Sequence, residues 1–235
     1  MAKAKLKVIL LRATPDPDEI VALGARLCYA QADVESLRER VEAKDQAAFV
    51  ERVMERGHLS VTEHASFTFA VEGVSRALLA QLTRHRHASF SVRSQRYCNE
   101  EDFQYVQPKT TQYGDGYSLF RETMSEIGST YSALTFDAMV PAEDARYVLP
   151  NACCTELYMT MNARALIESS RQRLCSRAQW EIRQLFEAMR DAVRPVCPEV
   201  SDWMRPKCED DPAHPFCPEA KSCGRNPKLK EVYRK

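Results

Sequence analysis

Along this chain the alternation of apolar and polar residues changes period several times, and each change predicts an element. Lys7 to Leu11 is a short apolar run that predicts an opening strand. Asp16, Pro17 and Glu19 then stand where an N-cap, a first-turn proline and an N3 acid belong, and Ile20, Leu23 and Leu27 give the predicted helix an apolar stripe. A second helix is predicted over Asp45 to Arg56, stopped by Gly57 and followed by His58. From Ser66 to Val71 the period falls to two, with Phe67, Phe69 and Val71 alternating with Thr68 and Ala70, the mark of a strand with one buried face. A helix beginning at Ser75, packed through Ala77, Leu78 and Leu82, is expected to deliver Arg84 at its end. The longest helical pattern runs from about Tyr117 to Ala138, with Phe120, Met124, Ile127, Tyr131 and Leu134 on one stripe. A strand is predicted over Thr155 to Met161, then Asn162 as the cap of a helix from Ala163, then a helix over Arg177 to Val193.

No repeat appears at any period, and no low-complexity linker separates two clear domains. Seven of the twelve prolines and four of the nine cysteines fall from Arg194 onward, so residues 1–193 are expected to form one domain and 194–235 a Pro/Cys-rich appendage. Composition narrows the function classes. Lys and Arg total 33, as do Asp and Glu, which argues against a general nucleic-acid or membrane-surface binder. Val8–Leu11 is too short for a signal-peptide core or a membrane span, which predicts a cytoplasmic protein with reduced thiols.

Against that neutral background, charge is concentrated locally. No acid occurs between Gly73 and Asn99, while Arg76, Arg84, Arg86, Arg93 and Arg96 fall there with His85 and His87. A guanidinium meets phosphate or carboxylate oxygens two at a time and stacks on flat rings, so the cluster points to an anionic ligand such as a nucleotide. Gln81 and Ser94 add an amide and a hydroxyl to the same stretch. A second group comprises Arg164, Arg171, Arg173 and Arg177, with Glu168 the only acid between Leu157 and Trp180; Arg146 is a further candidate.

Arg84-His85-Arg86, seven intervening residues and Ser94 resemble the signature motif of the flavin-dependent thymidylate synthases. Gly57-His58 with Glu63-His64 and Phe67-Thr68-Phe69 resembles the family's preceding segment. Asn162-Ala163-Arg164, Arg173 and Ala178-Gln179-Trp180-Glu181-Ile182 resemble its C-terminal core, in family order. The resemblance implies an α+β fold, a single mixed alpha/beta domain, assembled as a homotetramer with active sites at subunit interfaces, binding FAD and dUMP. It implies methylenetetrahydrofolate as carbon donor, NADPH as reductant and the reduced flavin as hydride source for dTMP. Carried over residue by residue, it places Gln81, Arg84, Ser94, Gln95, Arg96, Arg146 and Arg173 around dUMP, with Arg173 catalytic. Ser60, Arg84, His85, Arg86, Asn162 and Arg164 fall on the FAD side, with His58 near flavin and folate. Val92, Glu168 and Arg177 depart from the family's usual residues, and Glu168 beside FAD phosphates needs Arg164 or Arg171 to neutralise it. His64 is read as a structural side chain.

A flavin-independent route would need a cysteine nucleophile, yet Cys28, Cys98, Cys153, Cys154 and Cys175 lie in no activating motif. In the tail, Cys208, Cys217 and Cys223, with Cys175 or Cys197 as a fourth, would suit a tetrahedral zinc site. They lack the tight CxxC knuckle, so scattered reduced thiols are favoured and no metal is assigned. The alternatives to dUMP methylation are a flavoenzyme of the same scaffold with another substrate, and a non-catalytic nucleotide- or RNA-binding protein.

Overall fold

The computed structural model describes residues 2–211 and 213–232. In chain order the elements are β1 (Lys7–Ala13), α1 (Pro17–Leu27), α2 (Val34–Glu42), α3 (Ala47–Glu55), β2 (Ser66–Ser75), α4 (Arg76–Leu82), β3 (Ala88–Val92), α5 (Asp115–Ser132), α6 (Ala142–Ala145), β4 (Cys154–Asn162), α7 (Ala163–Arg173), α8 (Trp180–Val193), α9 (Pro198–Trp203) and α10 (Leu229–Val232). The strands pair in the order β1-β2-β4-β3, so sheet and helices coexist without parallel crossover units, as the α+β expectation requires. The chain divides into two units. One holds the N-terminal residues through Lys7 with 70–84 and 90–159; the other holds 8–69, 85–89 and 160 onward.

In the first unit, α5 buries Met124 and Tyr131, and a cluster of Phe103, Tyr105, Met124 and Cys153 gains Phe120 and Ile127 from the same helix. The stripe read from the sequence is therefore the packed face. Helix α4 begins with Ser75, whose Oγ accepts from the Leu78 amide at 3.0 Å, but it ends at Leu82, so Arg84 lies in the turn beyond it rather than on the helix. Gly73 is required by geometry. Its φ is +70°, and a Cβ there would stand 2.2 Å from the Lys5 carbonyl oxygen.

In the second unit, Phe67 and Phe69 are fully buried, as the alternation requires. Ala163 N–H donates to the Ala65 carbonyl at 2.8 Å and the Thr68 and Thr160 hydroxyls meet at 2.9 Å, so β2 and β4 run antiparallel here. Helix α3 closes in the Schellman pattern: Gly57 N–H donates to Met54 and His58 N–H to Val53, with Gly57 at φ +80°. Helix α8, with Phe186, Leu185 and Met189 buried, packs on α7 and α9.

Several expectations are corrected. Asp16 does stand at the N-cap of α1, but at φ 44° with no side-chain cap bond. Helix α2 was not expected: its apolar face is only Leu37 and Val41, and Asp33 caps it through Ser36. The residues between Arg86 and Ser94 contain a strand, β3. Beyond Ser132 the long helix continues as a π-helical turn over Ala133–Asp137. Helix α7 stops at Arg173, and α8 begins at Trp180 rather than at Arg177, with Gln179 Oε1 accepting from the Glu181 and Ile182 amides.

Candidate active site

Helix α7 carries the main constellation of the second unit. It starts without a loop, because Asn162 is at once the last residue of β4 and the N-cap, its Oδ1 accepting from Ala165 N–H at 2.8 Å. Its residues divide between core and site: Leu166 and Ile167 are fully buried while Ser169 and Arg173 face His85. Arg173 Nε donates to His85 Nε2 at 2.9 Å. That nitrogen must therefore carry the lone pair, which puts the ring proton on Nδ1, where it donates to Ser169 Oγ at 3.0 Å. Phe186 packs against the ring, centroids 5.9 Å apart. Burial first, and the Arg173 charge second, pull the His85 pKa from 6.5 down to about 4. The imidazole is thus neutral at physiological pH and serves as an acceptor that orients a permanent cation. Burial also lowers the Arg173 pKa, from a value so high that the guanidinium stays charged.

The other arginines of this segment meet carboxylates of the same unit. Arg164 bridges Glu168 (2.9 Å, through Nε) and Glu63 (3.0 Å, through Nη1), so the neutralising partner that Glu168 needs is Arg164. Glu63 belongs to the 3-10 turn Leu59–His64, which also presents Ser60; Ser60, Asn162 and Arg164 are thereby gathered around one junction. His64 packs its ring against Gly24, where a Cβ would come within 3.0 Å, in keeping with a structural role. Arg171 pairs with Asp210 and Arg177 with Glu219. Arg86 is exposed.

Beside that turn lies a cleft of about 920 Å³, within the roughly 300–1,000 Å³ typical of ligand sites. Its walls include His58 and Ser60, the cations Arg26 and Arg56, and the ring of Tyr29, which is 86% exposed. Arg26 lies 3.8 Å over the Phe49 ring, and its Nε is buried without a partner among the described residues. Arg26, Tyr29 and Arg56 were missed by sequence reasoning. They come from α1, α3 and the adjoining turns, separated along the chain by acids that hide any cluster.

The predicted substrate residues other than Arg173 fall in the first unit. Ser94, Gln95 and Arg96 form a turn after β3 in which Ser94 Oγ accepts from Arg96 N–H at 3.2 Å. Arg96 and Arg146 meet at Glu143: Arg96 Nε donates to its carboxylate at 3.0 Å, and Arg146 Nε to its carbonyl at 2.9 Å. Gln95 Nε2 donates to Cys153 Sγ at 3.5 Å. Burial pushes that thiol up to about 12, so Cys153 is protonated and no nucleophile. Gln81 Nε2 lies 3.4 Å from the Ala77 carbonyl, and Arg84 is exposed.

Comparison with known proteins places these features. Residues 9–199 match the protein family described as "Thymidylate synthase complementing protein". The chain is 45% identical over 233 residues to the flavin-dependent thymidylate synthase of Geobacter sulfurreducens, covering 97% of this chain and 98% of that one. The chain belongs to the flavin-dependent thymidylate synthase family. It is also 40% identical to the Clostridium tetani member, with 97% of each chain covered. The Helicobacter pylori Thymidylate Synthase X, solved with FAD and dUMP, has the same fold, with a TM-score of 0.66 at 24% identity over 85% of this chain and 97% of that one. Among flavin-dependent thymidylate synthases, then, this chain keeps the signature arginines on a turn, and it seats its signature histidine on α7. No described helix is long and apolar enough to cross a membrane.

Proposed function

We propose that the protein converts dUMP to dTMP with FAD as bound cofactor, methylenetetrahydrofolate as carbon donor and NADPH as reductant, in the cytoplasm. The observation that best supports this reading is the Ser169–His85–Arg173 chain, in which a neutral imidazole accepts from the guanidinium and so orients it. Arg173 faces the pyrimidine in this reading; its charge favours electron density on the ring carbonyl oxygens and so raises nucleophilicity at C5. Arg84, Ser94, Gln95, Arg96 and Arg146 hold the nucleotide's phosphate and sugar, with Gln81 toward the base.

The residues of the second unit suit FAD, which combines two phosphates with two flat ring systems. Ser60, His85, Arg86, Asn162 and Arg164, with Arg84, supply donors and charge, and the cleft beside Ser60 offers further cations, an exposed tyrosine ring and a buried guanidinium nitrogen that lacks a partner. When bound, FAD supplies the hydride that completes the methyl group. We further propose a homotetramer with active sites at subunit interfaces, so that one site draws residues from more than one copy.

The test is an assay of the purified protein with dUMP, methylenetetrahydrofolate and NADPH, followed by chromatography. The expected products are dTMP and tetrahydrofolate from a yellow preparation that NADPH bleaches. Arg173→Ala is expected to abolish dTMP formation while FAD stays bound; ordinary turnover by that variant would remove Arg173 from the reaction.

A further inference from the structure

The segment after α9 has little to hold it by packing alone. Among its described residues, regular structure amounts to a 3-10 turn at Lys207–Glu209, the four-residue α10 and one isolated bridge between Cys217 and Lys228. Ion pairs tie it down instead: Arg171 to Asp210, Arg177 and Lys207 to Glu219, and Arg225 to Glu209. Such exposed pairs contribute at most about 1 kcal/mol each. Yet Cys208 and Cys217 are buried, at 8% and 7% exposure.

Those two thiols share a cavity with two more. Cys175, in the turn after α7, and Cys223, in the loop before α10, line the same enclosed space, whose room for solvent is only about 10 Å³. That is about one atom's worth. Four cysteines, one from the turn after α7 and three from the tail, of which Cys223 is exposed, thus line one small hole. Cys197, the other candidate for a fourth thiol, does not line it; it sits at the start of α9 with Sγ toward Glu199. The remaining charged lining is mostly cationic, with Arg177, Lys207, Lys221 and Arg225 against Glu219. Cations in that number match a tetrathiolate zinc complex, which carries a net charge of two minus.

We infer that Cys175, Cys208, Cys217 and Cys223 close on one Zn²⁺ ion, each thiol releasing its proton to solvent as the Zn–S bond forms. Among the described residues no group of three or more His, Cys, Asp or Glu side chains is arranged to hold a metal ion, so binding requires the four cysteine side chains to move together across the small void. The ion does structural work, pinning the tail to the turn that follows Arg173, and is independent of dUMP chemistry.

The test uses the full-length, untagged protein, purified with reductant and without chelator. Elemental analysis is expected to find one zinc per chain, and titration with an organomercurial to release it in step with thiol loss. Cobalt added to demetallated protein is expected to give the visible bands of tetrahedral thiolate coordination, at wavelengths beyond flavin absorption. Cys208→Ser with Cys217→Ser should lose the metal, whereas Cys28→Ser should keep it. Absence of zinc from the unmutated protein, an intact mass showing disulfides among these four cysteines, or full zinc in the double variant would each overturn the assignment. Because metal content is read without turnover, its failure is distinguishable from failure of the enzymatic reading.

Discussion

Replacing Ser169 by alanine removes a single hydroxyl, buried at 7% exposure and one helical turn before Arg173. In the parent protein the proton positions are forced: Arg173 Nε–H points at His85 Nε2 from 2.9 Å, so the imidazole proton is on Nδ1 and Ser169 Oγ accepts it at 3.0 Å. Without the hydroxyl two outcomes are open to the ring. The Nδ1–H stays, unsatisfied in a half-buried place, at about 1–3 kcal/mol. Otherwise the proton moves to Nε2, confronts the guanidinium N–H, and the anchor of Arg173, a charge-assisted bond of about 1.5–3 kcal/mol, is lost. The first route appears as lost stability; the second loosens Arg173 and, at about 1.36 kcal/mol per factor of ten, lowers kcat for dTMP by roughly ten- to 150-fold. The assay is steady-state dTMP formation at saturating FAD. Loss of orientation shows in kcat rather than in KM for dUMP, and Ser169→Thr, which keeps a hydroxyl, restores most of the rate. An alanine variant whose kcat stays within about twofold of the parent would refute the positioning role.

Three further outcomes follow from the geometry. The folded His85 pKa, about 4, lies below the unfolded 6.5, so between those values the unfolded chain binds more protons; the stability this group contributes is full above pH 6.5 and is lost as pH falls through about 4. Denaturation midpoints at pH 7 and pH 5 should reflect that slope, and His85→Gln should flatten it; an imidazole titrating near its ordinary value by NMR would contradict it. Gly57→Ala meets nothing within 4 Å and should cost about 1–2 kcal/mol for its left-handed backbone, whereas Gly73→Ala adds a collision with the Lys5 carbonyl and should cost distinctly more; equal melting shifts would count against the contact. Cys153, its thiol pushed up to about 12, should stay unlabelled by iodoacetamide in the native protein at pH 8, and rapid labelling would mean that the site is open.

What could be read from the residues alone was whatever has short range. Phe67 and Phe69 declare a buried face by alternation, the α5 stripe declares itself by helical spacing, and Asn162 marks a helix start. Helix α2 escaped because two apolar residues, Leu37 and Val41, make too thin a stripe, and β3 because the charges of the signature drew attention from the alternation in Ala88–Val92. The partners of the arginines were out of reach for another reason. Glu63 lies 101 residues from Arg164, and Asp210 and Glu219 come from a tail with almost no periodicity. Residue types announced a nucleotide-sized array of cations; only folding could say which carboxylate neutralises which, and that His85 accepts from Arg173.

Both inner strands of the sheet hand over to a helix with no spacer: Ser75 and Asn162 are each the final strand residue and the cap of the helix that follows. Pleat and helical screw are therefore geared together. One inserted residue at either junction would turn the downstream helix by about 100° while inverting the strand's alternation, and no linker exists to absorb the slip. For Arg173, eleven positions beyond Asn162, aim is thus inherited from the register of β4. Length changes should be excluded at these two seams, which makes indel scanning across them a direct probe of how the sheet sets the direction of the helices.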